Sequence, residues 1–287
     1  MVQYTYSSHR TRHIEKIRKQ RVKYPQVAKN IVFTSDIVLE VLDARFPEET
    51  RNAELEKEIE KQKKKIIYVI NKSDLVKPSK LSEIKNNFFP YAIVSCSKRN
   101  GIKELRNLIK KLSKQIERRE MREIKKDKVI MGTDNRIKVG VIGYPNAGKS
   151  SLINILAGKS GAGVGSEAGF TKNIQKIRLS EGIVLIDSPG VIPEDQYSMS
   201  DKKKISESAI FGGKSYTQIK DPEFAVNELF MIQKEILEKH YRIKAENSDE
   251  LIEKVGRKKG ILKKGDEVNT DQTSREILKA WQKAEIR

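Results

Sequence analysis

Gly143-Tyr-Pro-Asn-Ala-Gly-Lys-Ser150 is the stretch that decides the fold of this chain. It matches the GxxxxGK[ST] pattern of phosphate-binding loops. Such a loop joins a strand to a helix, and the sequence predicts both neighbours. The apolar run Lys138-Val-Gly-Val-Ile142 predicts a strand, and a helix is expected from about 149 to 157. A chance glycine-rich turn would rarely meet all these conditions, so we predict a phosphate-binding loop on an α/β sheet.

The residue types of this loop suit a nucleotide and a magnesium ion. Glycines let backbone N–H groups wrap a phosphate without a Cβ clash, and the start of the next helix adds donors and a favourable dipole. Lys149 can reach the outer phosphates, and the Ser150 hydroxyl can ligate magnesium. Ala147, Gly148 and Ser151 complete the predicted nucleotide contacts of the loop.

Asp187-Ser-Pro-Gly190 is a second motif, placed at the end of the apolar run Ile183-Val-Leu-Ile186. A carboxylate at this place can hold magnesium through water, and the Gly190 N–H can meet a γ-phosphate. Thr171 lies between the two motifs and can close over the metal, with a plain surface threonine as the alternative. The predicted metal ligands are Ser150, Thr171 and Asp187.

The tetrapeptide Asn71-Lys-Ser-Asp74 follows another predicted strand, Ile66-Ile-Tyr-Val-Ile70. Guanine presents N1–H and an exocyclic amine side by side, whereas adenine does not. The Asp74 carboxylate can accept both hydrogen bonds, and adenine would leave it unpaired. Asn71 can tie the loop together, and the Lys72 stem can lie along the base. A chance match in a Lys- and Asn-rich chain is the alternative, which the strand-end position disfavours.

Ser95-Cys-Ser-Lys98 follows the next predicted strand, Tyr91-Ala-Ile-Val-Ser95. It occupies the place of a loop whose backbone contacts the guanine carbonyl and which requires a small residue. We predict that the Cys96 side chain packs inward while its N–H binds the base. Ser95, Cys96 and Ser97 are therefore expected at the base.

These motifs, in this order, resemble the circularly permuted GTPases of the YlqF/YawG type, because the base-binding tetrapeptide precedes the phosphate loop. The resemblance covers about residues 26–192. Asp43-Ala-Arg-Phe-Pro47 is similar to the family's DAR-x-P signature, and the run from Glu250 to Gly265 is similar to its helical tail. The resemblance implies a GTP-hydrolysing switch that acts in assembly of the large ribosomal subunit.

The strand and helix pattern predicts an α/β fold, a circularly permuted P-loop GTPase domain with a doubly wound, mostly parallel sheet. Two strands between 174 and 187 predict an antiparallel edge, and residues 120–136 predict a polar connector. The strand pattern stops after about 192, and helices follow. We divide the chain into a basic N-terminal arm (1–24), the permuted GTPase domain (25–199) and an all-helical, RNA-binding domain (200–287).

The 287-residue chain carries a net charge of +19, a surplus that attracts polyanions through counterion release. RNA or DNA is therefore favoured over a merely solubilising surface. No stretch approaches the roughly 18 apolar residues of a membrane span. The one cysteine, Cys96, excludes an intrachain disulfide and favours a reducing cytoplasm, where we expect a monomer. A basic cluster in the tail is predicted to complete an RNA-facing surface: Arg257, Lys258, Lys259, Lys263 and Lys264.

Val191 follows Gly190, where many GTPases carry a glutamine that orients the attacking water. A valine cannot do so, and the family resemblance implies the same replacement, so we predict slow intrinsic turnover that rises on a partner. Asn146 is a candidate potassium ligand beside the phosphates, with a loop-stabilising asparagine as an equal alternative. The predicted catalytic residues are Lys149, Thr171, Gly190 and Asn146.

Three interpretations of function stay open at this point. The leading one is a switch that binds GTP or GDP with magnesium and associates with ribosomal RNA or the large ribosomal subunit. Because the loop after Gly190 leads into the tail, we predict that the nucleotide sets RNA affinity. The second interpretation is a nucleotide-dependent RNA-binding scaffold with negligible hydrolysis. The third is a permuted GTPase of the small-subunit class, which is weaker because one cysteine cannot form a zinc cluster.

Overall fold

The computed structural model describes residues 27–124, 136–158, 175–180, 182–187 and 208–286. For residues 117–124, 175–178, 180 and 187 it describes the backbone alone. The predicted basic arm, most of the connector, the segments that contain Thr171 and Gly190, and the predicted domain boundary at 199 lie outside the described residues.

A six-stranded sheet forms the centre of the N-terminal unit, in the order β3-β2-β1-β4-β6-β5. The strands are β1 (Ile37–Asp43), β2 (Lys65–Asn71), β3 (Tyr91–Ile93), β4 (Ile137–Gly143), β5 (Gln175–Ser180) and β6 (Ile183–Asp187). All neighbouring pairs are parallel except β5 and β6, which form an antiparallel edge. The predicted doubly wound, mostly parallel sheet is confirmed.

Helices cover both faces of this sheet. They are α1 (27–34), α2 (Ala53–Lys61), α3 (Pro78–Asn87), α4 (Ile102–Ile124) and α5 (Lys149–Leu156). All seven residues of β1 are buried, because successive side chains meet opposite helical layers. Leu39 packs in the cluster with α4 and α5, whereas Val38 packs with α1 and α2. A strand buried on both faces needs no polar alternation, which explains why β1 is apolar except for Glu40 and Asp43.

Two element boundaries differ from the sequence-based expectations. Helix α4 continues to Ile124, so the first part of the predicted connector at 120–136 is helical. That stretch is rich in Glu, Arg and Met, which favour helices. Strand β3 has three residues rather than five, because Ser95 instead forms an isolated bridge with Asn100 and the chain turns back.

Residues 208–286 form a helical unit with three helices longer than ten residues. These are α6 (Pro222–Tyr241), α7 (Ser248–Lys259) and α8 (Thr270–Gln282). The side chains of Asp221, Asn247 and Asn269 cap the three helix starts by accepting backbone N–H groups. Gly260 ends α7 in the left-handed conformation with φ 66°, which a glycine adopts without strain. The predicted all-helical C-terminal region is confirmed.

The two units share a packed contact through Phe46, in the loop after β1. Its ring centroid lies 4.9 Å from that of Phe211 and 6.0 Å from that of Trp281. Phe46 therefore belongs to the core of the helical unit although it precedes that unit by more than 150 residues. Among the described helices, none combines the length and apolarity needed to cross a bilayer.

Candidate nucleotide-binding site

The predicted nucleotide loops meet at one edge of the sheet. The phosphate loop follows β4, and the tetrapeptide that begins with Asn71 follows β2. Strand β1 lies between these two strands and is parallel to both. Because parallel strands place their carboxyl ends at the same edge, loops some seventy residues apart in the chain become neighbours.

Two glycines let the phosphate loop approach its neighbours closely. Gly143 has φ 147° and Gly148 has φ 100°, backbone conformations that strain any side chain. A Cβ atom at Gly143 would overlap the Val41 carbonyl oxygen, and one at Gly148 would overlap the Asn71 amide nitrogen. The second approach joins the phosphate loop to the tetrapeptide, so glycine is required there by packing as well as by its backbone angles.

Lys149 crosses the phosphate loop from the first turn of α5. Its side chain is buried, and its Nζ donates to the carbonyl oxygens of Gly143 at 3.0 Å and Tyr144 at 2.9 Å. The ammonium group is thus held over the loop in which phosphates were predicted. Ser150 and Ser151 follow it in the same helical turn and are half-buried.

The Asn71 side chain connects three of the predicted loops. It is 1% exposed, and its Nδ2 donates to the Ala147 carbonyl oxygen at 2.8 Å. Its Oδ1 accepts the Cys96 N–H at 3.2 Å. This agrees with the expectation that Asn71 ties the site together. It also means that the Cys96 N–H, predicted to face guanine, is bonded to Asn71 in this structure.

The Asp74 carboxylate lies beside the loop that begins at Ser95. The Ser95 hydroxyl donates to its Oδ1 at 2.6 Å, and the Ser97 hydroxyl donates to its Oδ2 at 3.0 Å. These two hydrogen bonds orient the carboxylate. Both serines predicted at the base therefore contact the residue predicted to recognise it.

The Cys96 thiol packs against the main hydrophobic core. Burial raises the pKa of the thiol to about 12, and the neighbouring Asp74 charge acts in the same direction. A thiol with so high a pKa stays protonated and unreactive at neutral pH. This supports a packing role for the side chain, as predicted.

Lys72 makes a contact that the sequence interpretation did not include. It has the left-handed φ of 61°, and its Nζ lies 2.8 Å from Asp43 Oδ2. Asp43 is paired with the residue before Lys72, Asn71, in the register of β1 and β2. A prediction of that register would have placed the carboxylate beside the tetrapeptide.

Asn146 is bonded to the helical unit. It has φ 60°, and its Nδ2 donates to the Gly212 carbonyl oxygen at 3.2 Å. The Tyr144 hydroxyl, from the same loop, lies 3.5 Å from the Ser208 Oγ. The phosphate loop therefore contacts the segment at 208–213, which the sequence interpretation missed because the partners are more than sixty residues apart.

The remaining predicted residues have little or no described structure. Asp187 ends β6, where its backbone pairs in register with Val141 of β4, but its side chain is not described. Thr171, Gly190 and Val191 lie outside the described residues. A phosphate loop and an Asn-Lys-x-Asp loop at one edge of a parallel sheet, in permuted order, define a P-loop protein of the GTPase class.

Comparison with known proteins agrees with that class. Residues 138–259 match the family described as 50S ribosome-binding GTPase. A GTP-binding protein of Methanocaldococcus jannaschii is 36% identical over 94% of this chain and 68% of its own length. The nuclear GTP-binding protein NUG1 of Saccharomyces cerevisiae is 31% identical over 94% of this chain and 56% of its own length. This chain thus spans between 40% and 68% of the length of the curated relatives that it matches.

The fold agrees with solved structures as well. The crystal structure of GNP-bound YlqF from T. maritima aligns with a TM-score of 0.59 and 23% identity, over 91% of this chain and 95% of that chain. The chain belongs to the circularly permuted GTPases of the YlqF type.

Proposed function

We propose that this protein binds and hydrolyses GTP as an RNA-associated switch in assembly of the large ribosomal subunit. The observation that carries the proposal is the Asn71 side chain, which bonds to Ala147 of the phosphate loop and to Cys96 of the loop expected at the base. One amide thereby sets the distance between a phosphate subsite and a base subsite, as a nucleotide requires.

Guanine recognition is assigned to Asp74. Its carboxylate is oriented by Ser95 and Ser97, and a carboxylate can accept both the N1–H and the amine of guanine. The Cys96 N–H, which bonds to Asn71 in this structure, would be shared between Asn71 and the guanine carbonyl. Adenine offers an acceptor where guanine offers N1–H, so binding it would leave a carboxylate unpaired.

Phosphate binding is assigned to the loop from Asn146 to Ser151. Lys149 would exchange the carbonyl oxygens of Gly143 and Tyr144 for the outer phosphates. The donor set of hydroxyl and carboxylate oxygens at Ser150, Thr171 and Asp187 suits a magnesium ion. When bound, magnesium neutralises charge that develops on the phosphate oxygens.

Hydrolysis is proposed to be slow and to rise on a partner, because Val191 cannot orient water. Lys149, Thr171 and Gly190 are the proposed groups around the transferred phosphate, and Asn146 is the proposed potassium ligand. In this structure the Asn146 Nδ2 donates to the Gly212 carbonyl oxygen, whereas potassium would bind through Oδ1, so the two contacts are compatible. Multiple-turnover kinetics, with and without ribosomal subunits, separate this proposal from a scaffold with negligible hydrolysis.

An anionic RNA partner is proposed from charge. The net charge is +19, and the tail cluster that begins at Arg257 is exposed. Arg257 pairs with Glu253 at 2.8 Å, which offsets part of its charge, whereas Lys263 and Lys264 are exposed in the turn after α7.

The names of several relatives, such as nucleolar GTP-binding protein 2 of Saccharomyces cerevisiae, support a place in ribosome production. Those nucleolar relatives are eukaryotic, and a cytoplasmic location for this chain stays a prediction.

Co-sedimentation with purified small and large ribosomal subunits tests the proposal. The protein is mixed with each subunit in nucleotide-free form, with GDP and with a non-hydrolysable GTP analogue. We expect the analogue to favour binding to the large subunit. Equal binding in all three states would contradict the switch, and preference for the small subunit would contradict the assigned partner. Calorimetry that finds ATP bound as tightly as GTP would contradict the assigned substrate.

A further inference from the structure

A chain of buried polar contacts links the guanine tetrapeptide to the helical unit. Lys72 Nζ lies 2.8 Å from Asp43 Oδ2. The Arg45 guanidinium donates to both oxygens of the same carboxylate, from Nε to Oδ1 at 3.1 Å and from Nη2 to Oδ2 at 2.8 Å. Arg45 Nη1 then donates to the Trp281 carbonyl oxygen at 3.2 Å. The contacts pass from one unit to the other without a gap.

We propose that Asp43 and Arg45 are positioning residues for base recognition, which hold Lys72 at the guanine site and transmit base binding to Trp281. The inference rests on the proposed binding of guanine nucleotides. It assigns a role to the Asp43-Ala-Arg-Phe-Pro47 stretch, for which the sequence indicated only a family resemblance.

The geometry of the carboxylate supports positioning. Asp43 is 2% exposed and Arg45 is 7% exposed, so neither side chain can relax into water. Burial by itself raises the pKa of Asp43, but the charges of Arg45 and Lys72 outweigh it and hold this pKa well below its usual range. A fixed, ionised carboxylate between two cations sets the position of both.

Lys72 needs such support. Its φ of 61° is uncommon for a residue with a side chain, and such a conformation persists only where surrounding contacts hold it. The ion pair with Asp43 is a buried contact of that kind. If the Lys72 stem is to lie along the base, its contact with Asp43 decides where the stem ends.

This series of contacts ends at the Trp281 ring. The Arg45 guanidinium carbon lies 4.3 Å from the ring centroid, within the range of a cation–π interaction. The ring is 1% exposed and lies in the core of the helical unit. A change in how strongly Lys72 shares Asp43 therefore changes how far this carboxylate balances the guanidinium charge that faces the ring.

Trp281 is also the single tryptophan of the chain, so all tryptophan emission comes from this ring. The full chain is titrated with GDP while calorimetry and tryptophan emission are recorded in parallel. We expect the tryptophan emission to change until it saturates. The GDP concentration at the midpoint of this change should equal that of the calorimetric titration. Inorganic tripolyphosphate, which has no base, should cause no such change.

Arg45→Lys should abolish the emission change because lysine cannot bond to both carboxylate oxygens in a planar fork. The matched control is Arg275→Lys. Arg275 also pairs with a carboxylate, Asp271, and donates to a backbone carbonyl, that of Tyr216, but it lies inside the helical unit. The control should keep the response.

A double-mutant cycle separates positioning from simple stabilisation. Asp43→Asn and Lys72→Met should each weaken GDP binding about tenfold. The double variant should lose no more GDP affinity than either single variant does. Tripolyphosphate affinity should stay within about twofold, because a base-positioning residue leaves phosphate binding intact. If thermal unfolding shows that Asp43→Asn does not fold, Lys72→Met and the emission titration decide.

The outcomes separate this inference from the proposed function. Absence of GDP binding to the unaltered protein would sink the proposed function. GDP binding without an emission change, or additive losses in the cycle, or equal losses for GDP and tripolyphosphate, would overturn the inference while leaving the proposed function in place.

Discussion

Replacing Asn71 with alanine removes the side chain that joins the phosphate loop to the base loop. The amide is 1% exposed and makes hydrogen bonds of 2.8 Å with Ala147 and 3.2 Å with Cys96. Each such bond contributes about 1 kcal/mol net, so the loss is about 2 kcal/mol before the stranded partners are counted. Since about 1.4 kcal/mol corresponds to tenfold in an equilibrium constant, we expect the Kd for GDP to rise roughly 30-fold.

Isothermal titration calorimetry with GDP measures this loss. Asn86→Ala, at an exposed position of α3, is the matched control and should stay within about twofold of the unaltered protein. Asn71→Asp keeps an acceptor for the Cys96 N–H but directs a carboxylate oxygen at the Ala147 carbonyl, so it should bind GDP more weakly than the alanine variant. A folded Asn71→Ala protein with GDP affinity within about threefold of the original would refute the reasoning.

Four further predictions concern charge and reactivity. Burial raises the pKa of Cys96 to about 12, so iodoacetamide should modify the native thiol slowly at neutral pH and rapidly only after unfolding. Mass spectrometry measures the extent of modification. Fast labelling of the native protein would contradict the packing of this side chain. The pKa of Asp43 is lowered, so the stability that its ionised form contributes is present above the unfolded pKa of about 4 and is lost as pH falls toward the folded value. In urea unfolding, the free energy of unfolding should therefore fall less steeply with acid for Asp43→Asn than for the unaltered protein. The pKa of Glu40 is raised by burial first and by Glu56 second. The folded state thus keeps a proton that the unfolded chain loses above about pH 4.5, and the free energy of unfolding should fall as pH rises there unless Glu40→Gln removes the group. If Asn146 binds potassium, GTP hydrolysis should be faster in potassium chloride than in sodium chloride. Identical rates in the two salts would contradict this role of Asn146.

The sequence was sufficient for the sheet and for the main loops of the site. The phosphate loop and the tetrapeptide from Asn71 each combine a short local pattern with a strand end, and both could be located from such patterns. The order of the two motifs indicated the permutation. The predicted strand ends lie within a few residues of the observed ones, whereas α4 extends through strong helix formers to Ile124, inside the predicted connector.

The contacts between the two units could not be predicted in the same way. Asn146 reaches Gly212, and Phe46 packs on Trp281, but no local pattern joins partners so far apart in the chain. Their pairing depends on how the helical unit packs against the loops, which is a property of tertiary structure. The Asp43–Lys72 pair is intermediate, because the parallel register of β1 and β2 would have indicated it.

The position of β1 in the sheet has a consequence for synthesis of the protein. β1 is the first of the described strands along the chain, yet it pairs on one side with β4. The Lys138 N–H of β4 donates to the side chain of Asp36, which directly precedes β1, and the two residues are 102 positions apart. At roughly 5 to 20 residues per second, translation leaves that side of β1 without its partner for about 5 to 20 s. During that interval the nascent chain presents an apolar strand with a bare edge, which makes the growing polypeptide prone to pair with other chains until β4 emerges.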